Sequence, residues 1–329
     1  MDLQERSRRF GLTVIACAIT ARLFASGLPG KIVTRLQQLD IAPFLIYLET
    51  GRDVRFSSSS EIFGLFSPES APPVLRKTED RPAFSADDTA LTDIYYACSV
   101  RPSLEELMTM PLDWNLSDGQ PAVLILHTHT TESYTQLDEN YVETSDYRTL
   151  DDRYNMLSIG QKVAEILENN GIYVIQDRNL HDYPSYNGSY TDARKSTESY
   201  LAQYPTLRLV LDLHRDASDG VNGQLRTEAE IGGETAAQLM LVMGTDAAGQ
   251  KHDNWQENFA LALKLQAQLE RQTPGITRPT ILRAQRFNQD LSSGALLVEV
   301  GAAGNTHTEA LRAAEELAKA IVALSKGTG

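Results

Sequence analysis

Short apolar runs alternating with segments of helical periodicity constrain the fold of this chain more than any other feature. Residues 123–126, 172–175, 207–213, 238–243 and 296–300 are brief, mostly apolar runs of the kind that become buried strands. Between and after them, 154–169, 191–204, 254–272 and 308–324 carry apolar residues at helical spacing. The first of these places Met156, Leu157, Ile159, Val163, Ile166 and Leu167 along one side and closes with Asn170-Gly171, a helix stop. Strands that alternate with helices predict an α/β domain, a mostly parallel twisted sheet with helices on both faces.

This texture begins near residue 118, so the expected domain is 118–329. Residues 31–117 mix short apolar pieces with turn formers such as Ser67-Pro68 and Ala71-Pro72-Pro73, which reads as a stalk with a few helical turns. In residues 1–30, Arg6, Arg8 and Arg9 precede an uncharged run from Phe10 to Ala21, and Arg22 interrupts it. A positive flank before an apolar run is the pattern of an export signal. A membrane helix needs roughly 20 apolar residues, so Arg22 must snorkel if this segment spans a bilayer. The expectation is a signal retained as a single-pass anchor, with everything after it outside the cytoplasm; a cleaved signal and an amphipathic helix are the alternatives.

Composition narrows the function classes. With 42% hydrophobic residues in 329, the chain can bury a substantial core, which excludes disorder throughout. A net charge of -14 argues against nucleic acid, whose phosphates require clustered Lys and Arg. Two cysteines supply neither a cysteine metal cluster nor a disulfide framework. No internal repeat or low-complexity segment is visible.

The chemistry lies where the apolar runs end. The first run breaks into His127-Thr128-His129-Thr130-Thr131-Glu132; the run at 209–213 leads into His214-Arg215-Asp216 and contains Asp212; the last contains Glu299. Parallel strands bring their carboxyl ends to one edge, so groups this far apart in sequence converge. Two histidines and a carboxylate leave one position open on a tetrahedral zinc, the arrangement of a catalytic site. Zinc lowers the pKa of its water to about 7. Glu299 is then the candidate base, and Arg215 the group that counters charge on an attacked carbonyl oxygen or holds a substrate carboxylate. His127 is either a ligand in place of His129 or a support for one. Asp212 is read as capping or orienting a neighbouring histidine, and His252 and His307 as capping or surface residues.

These segments closely resemble the stage II sporulation protein P family of endospore formers. The resemblance rests on Leu126-His127-Thr128-His129-Thr130-Thr131-Glu132-Ser133-Tyr134, His181-Asp182-Tyr183-Pro184-Ser185-Tyr186-Asn187-Gly188-Ser189-Tyr190, Asp212-Leu213-His214-Arg215-Asp216-Ala217, Arg286-Phe287-Asn288-Gln289-Asp290-Leu291-Ser292 and Glu299-Val300-Gly301-Ala302-Ala303-Gly304-Asn305, in order over more than half the chain. It implies a membrane-anchored hydrolase of the cell wall in the septal intermembrane space during engulfment. Such an enzyme is a zinc-dependent N-acetylmuramoyl-L-alanine amidase that also cleaves peptide cross-links and works with sporulation proteins D and M. The implied fold is similar to that of zinc amidases and, more distantly, zinc carboxypeptidases, and a late Glu at a strand end, matching Glu299, is their base. Of the two relatives, the carboxypeptidases' His-x-x-Glu maps onto His129 and Glu132, whereas the amidases' second ligand would fall near Asp152. The expected ligands are therefore His129, Glu132 and His214.

Tyr183, Tyr186 and Asn187 suit stacking on a sugar and hydrogen bonding to a stem peptide, although the same loop is equally consistent with a packed turn. Asn288 and Gln289, with Arg286, are further candidates for substrate contact. A metallocarboxypeptidase and a non-catalytic wall-binding scaffold are the competing readings.

Overall fold

In the computed structural model, residues 84–112, 114–135, 143–145, 147–220 and 223–326 are described. Seven strands form one sheet: β1 (Ile94–Tyr96), β2 (Pro121–Leu126), β3 (Tyr173–Gln176), β4 (Leu209–Asp216), β5 (Leu239–Gly244), β6 (Thr280–Arg283) and β7 (Ala295–Ala302). Their spatial order is β1-β6-β5-β7-β4-β2-β3. Every neighbouring pair is parallel except β5 with β7, so a four-stranded parallel block is joined edge to edge to a three-stranded block running the other way. The mostly parallel α/β reading holds. Because β2, β4 and β7 belong to one block, their carboxyl ends share an edge.

Five helices cover the sheet: α1 (Leu104–Thr109), α2 (Met156–Asn169), α3 (Ser189–Gln203), α4 (Trp255–Gln272) and α5 (His307–Lys326). Helix α2 starts where the Asn155 side chain accepts from Leu157 N (3.0 Å), and stops where Gly171 takes φ +79°, a left-handed turn that favours glycine.

Side-chain alternation assigns each strand residue to a face. Val123 and Ile125 of β2, Leu209, Leu211 and Leu213 of β4, and Leu296, Val298 and Val300 of β7 pack into one cluster with α2, α4 and α5. Leu124, Leu126, Val210 and Ala295 pack on the opposite face against Ala193 and Tyr200 of α3. Each fully buried leucine contributes about 1.5–3 kcal/mol. A slip of one residue would exchange these rows and turn the polar residues of β4 into the apolar cluster, so the register is strongly specified. Asp212, His214 and Glu299 share their parity with the α3 face.

The stalk expected over 31–117 is corrected at its carboxyl end. Strand β1 is hydrogen-bonded into the sheet, and Phe84, Leu91, Ile94 and Leu104 pack against the main core, so the domain takes in residues well before 118. The buried Lys264 of α4 donates from Nζ to Leu107 O of α1 (2.9 Å), fixing this segment to the body. A three-residue strand and the four residues of β6 are too short to show a period. The expected anchor over 1–30 lies outside the described residues; among those described, no helix is long and apolar enough to cross a membrane.

Candidate metal centre

His214 and Glu299 are register partners on β4 and β7; His214 is buried, and Glu299 is half-buried with its Oε2 out of contact with solvent. The His129 ring lies 5.3 Å from that of His214, nearly perpendicular. Glu132 sits beside His214, its Oε2 3.7 Å from Nδ1, and the same oxygen accepts from Arg215 N (3.2 Å). Asp212 lies on the other side: its Oδ1 is 3.0 Å from His214 Nε2, near enough for an ion pair though not aligned as a hydrogen bond. Thr128 locks Asp212 by donating its N–H to Oδ1 (2.8 Å) and its hydroxyl to Oδ2 (2.6 Å), so Asp212 orients the imidazole as expected from its position. The structure thus brings together His129, Glu132, His214 and Glu299.

His127 goes elsewhere. It continues the parity of Val123 and Ile125, which points it to the α2 face. Its Nδ1 donates to Leu213 O (3.1 Å), and its Nε2 accepts from Gln176 Nε2 (3.3 Å), with Gly160 of α2 against the ring. Asp152 is exposed and paired with Arg178 (2.8 Å).

The charges follow from burial and neighbours. Burial, then the positive His214 and Arg148, depress His129 to about 3, so this imidazole is neutral. Burial likewise brings His127 down to about 4. At His214 burial opposes the proton, but Asp212, Glu132 and Glu299 outweigh it and raise the imidazole to about 10. Burial, reinforced by Glu132 and Asp216 against the pull of His214, raises Glu299 to about 8.

The donor types present, imidazole and carboxylate, are ones that zinc takes. His129 Nδ1 and Glu299 Oε2 are buried with no hydrogen-bond partner among the described residues, and His214 Nε2 meets the Asp212 carboxylate; the two unpartnered atoms are a costly condition that a cation at the site would relieve. A neutral imidazole, the form His129 takes, is the one that binds a metal, whereas His214 would have to release its proton to do so; imidazole and carboxylate are zinc's usual nitrogen and oxygen donors. Among the described residues, no three such side chains are yet gathered into a group that could hold an ion, so closing on a metal requires side-chain movement.

Around this centre the sequence expectations separate. Tyr186 stacks on His129 (centroids 4.6 Å, 10°), with its hydroxyl 3.2 Å from Nε2. Tyr183 and Asn187 are exposed on the same loop. Asn288 donates to Tyr190 O (2.8 Å), and Gln289 is buried with its amide spent on Gly244 N and Val242 O (both 2.8 Å). Gln289 therefore holds its loop and does not reach the groove, which corrects the expected substrate contact. Arg215 also differs: Nε donates to Ser133 O and Nη2 to Tyr147 O (both 3.2 Å), with Nη1 3.8 Å from Glu132. Its donors serve the frame, not an attacked carbonyl. His252 is buried where a capping or surface residue was expected.

Three participants escaped the sequence reading. Arg148 donates to Glu132 and Asp182 and lies over the Tyr186 ring (5.0 Å). Asp182 in turn accepts from the backbone and hydroxyl of Thr131 (3.1 and 2.7 Å). Tyr190 meets His129 edge-on (5.7 Å) and lies nearly parallel to His214 (6.5 Å). Arg148 sits in a short hairpin without periodicity and gave no signal; Tyr190 stood in a quoted motif with nothing to single it out.

Comparison with known proteins agrees with the resemblance. The family model described as stage II sporulation protein P matches residues 70–322. The stage II sporulation protein P of Bacillus subtilis (strain 168) is 30% identical over 207 residues, which is 60% of this chain and 49% of that protein, so the chain spans about half of its relative. Among solved structures, the CwlD amidase of Clostridioides difficile in complex with the GerS lipoprotein aligns at 16% identity and a TM-score of 0.39, covering 61% of this chain and 94% of that one. The N-acetylmuramoyl-L-alanine amidase AmiC2 of Nostoc punctiforme aligns at 15% identity and a TM-score of 0.36, covering 62% and 94%.

Proposed function

The chain belongs to the stage II sporulation protein P family, and from that premise we propose that it is a zinc-dependent peptidoglycan hydrolase of sporulation. Its bond is the amide between N-acetylmuramic acid and L-alanine of the stem peptide. The observation that carries this reading is the buried, unpartnered His129 Nδ1 together with the unpartnered Oε2 of Glu299, the register partner of a His214 that Asp212 holds in place.

In this reading His129, Glu132 and His214 would hold a zinc ion, which would supply Lewis-acid activation of water near neutral pH. Glu299 beside them would be the group that holds a proton and passes it to the departing amine. Asp212 and Thr128 fix the orientation of His214, and Arg148 and Arg215 hold Glu132 in place. Tyr186 and Tyr183 form an aromatic wall for sugar or stem peptide. Cross-link cleavage, the partnership with sporulation proteins D and M, and anchoring of the catalytic domain outside the cytoplasm by residues 1–30 are part of the same proposal and rest on the family alone.

The test is digestion of purified cell wall by the full chain with zinc supplied, followed by mass analysis of the products. Free stem peptides beginning with L-alanine are expected. Shortened peptides still joined to muramic acid would favour a carboxypeptidase, and no release at all would overturn the hydrolase reading.

A further inference from the structure

Amide hydrolysis places negative charge on the carbonyl oxygen when water's oxygen bonds to the carbonyl carbon. A hydrogen-bond donor aimed at that charge in a water-poor site is worth a large factor in rate. Most donors around His129 and His214 are already spent. Arg215 serves Ser133 O and Tyr147 O, Arg148 serves Glu132 and Asp182, the Thr128 hydroxyl serves Asp212, and the Tyr186 hydroxyl lies against His129 Nε2.

Tyr190 differs from all of these. Its ring lies perpendicular to that of His129 (centroids 5.7 Å) and nearly parallel to that of His214 (6.5 Å), yet among the described residues its hydroxyl has no hydrogen-bond partner. The ring is held from behind. Its backbone carbonyl accepts from Asn288 Nδ2 (2.8 Å), and Phe287 packs on it at 6.1 Å. Phe287 and Asn288 both adopt positive φ (50° and 60°), an unfavourable pair for residues other than glycine. The segment is pinned in that shape by Gln289 and by Asp290, whose carboxylate is paired to Arg194 (2.9 Å) and Arg286 (3.2 Å). Strain maintained beside a site, and used to seat one tyrosine, points to a positioned functional group.

We propose that Tyr190 is a catalytic residue of this centre, donating a hydrogen bond from its hydroxyl to the carbonyl oxygen of the scissile amide as negative charge develops there. This rests on the hydrolase reading above. A phenol is protonated at neutral pH and so is a donor without any assistance. The tyrosine keeps its proton throughout: the carbon–nitrogen bond breaks, the nitrogen receives its proton from Glu299, and the carbonyl re-forms.

The experiment compares the full chain with Tyr190→Phe and Glu299→Gln on purified wall, alongside binding of a phosphinate that mimics the tetrahedral centre and of an uncleaved muramoyl peptide. Tyr190→Phe is expected to lower kcat by about 10²- to 10³-fold with KM little changed, to weaken the phosphinate correspondingly, and to leave the uncleaved peptide, zinc content and melting temperature unaltered. Wild-type turnover and phosphinate affinity in Tyr190→Phe would overturn the role while leaving the hydrolase intact. A parent chain as inert as Glu299→Gln would overturn the hydrolase reading and the role together.

Discussion

Glu299 and His214 stand opposite one another on adjacent parallel strands, one with a buried, unpartnered carboxyl oxygen and the other held between Asp212 and Glu132. Neighbouring positions on one sheet face permit no independent adjustment, so the two side chains keep their relation for as long as the two strands stay in register.

Replacing Glu299 by Gln removes the proposed base and keeps its shape. The expected result is retained zinc and a loss of turnover of about 10²- to 10⁴-fold, measured as peptide release per bound zinc. Turnover within a few-fold of the parent would remove Glu299 from the mechanism.

His127 supports the sheet from the far face. His127→Ala strands Leu213 O and leaves a gap beneath Gly160 and Gln176, so a loss of about 1–3 kcal/mol in stability is expected with zinc content preserved. Denaturant unfolding together with metal analysis checks both halves. Loss of zinc in a variant that stays folded would make His127 a ligand.

Gly301 sits in the irregularity of β7 between Glu299 and Ala302, at φ +74°, where an added Cβ would come within 2.7 Å of Ala237 Cβ. Both the backbone conformation and the space exclude a side chain. Gly301→Ala is therefore expected to cost about 1–3 kcal/mol and to lower kcat by displacing Glu299, without loss of the aromatic wall. A melting temperature and kcat equal to the parent's would contradict this reading of the bulge.

Lys264 gives stability a pH dependence away from the site. Burial lowers its ammonium to about 8, whereas the unfolded side chain titrates near 10.4. Between these values the unfolded chain still carries a proton that the folded chain has released, so this group makes stability rise as pH rises through that window. Lys264→Met is expected to flatten the rise, and Leu107 O keeps its bond from Met110 N (3.2 Å). An unchanged slope in urea unfolding from pH 8 to 10 would place the effect elsewhere.

The sheet's central strands and four of its helices were legible because long apolar patterns declare their period. Helix α2 was expected over 154–169 and runs Met156–Asn169, and β7 was expected over 296–300 and runs Ala295–Ala302. Strands β1 and β6 were not legible, being too short to show alternation, and with them went the true beginning of the domain. At the centre, strand-end histidines and Glu299 could be singled out because polar groups interrupt apolar runs. Parity could also have separated His127 from the site, since it repeats the spacing of Val123 and Ile125. Arg148 could not be found this way: its importance comes from a hairpin folding back on Glu132, a contact that no local pattern announces.

The most direct test of the account is the zinc content of the purified full chain at neutral pH. One zinc per chain is expected in the parent, in Glu299→Gln and in His127→Ala, and none in folded His129→Ala, Glu132→Ala or His214→Ala. A folded parent without stoichiometric zinc, or one that keeps it after loss of His214, would contradict the metal centre on which the proposed chemistry depends.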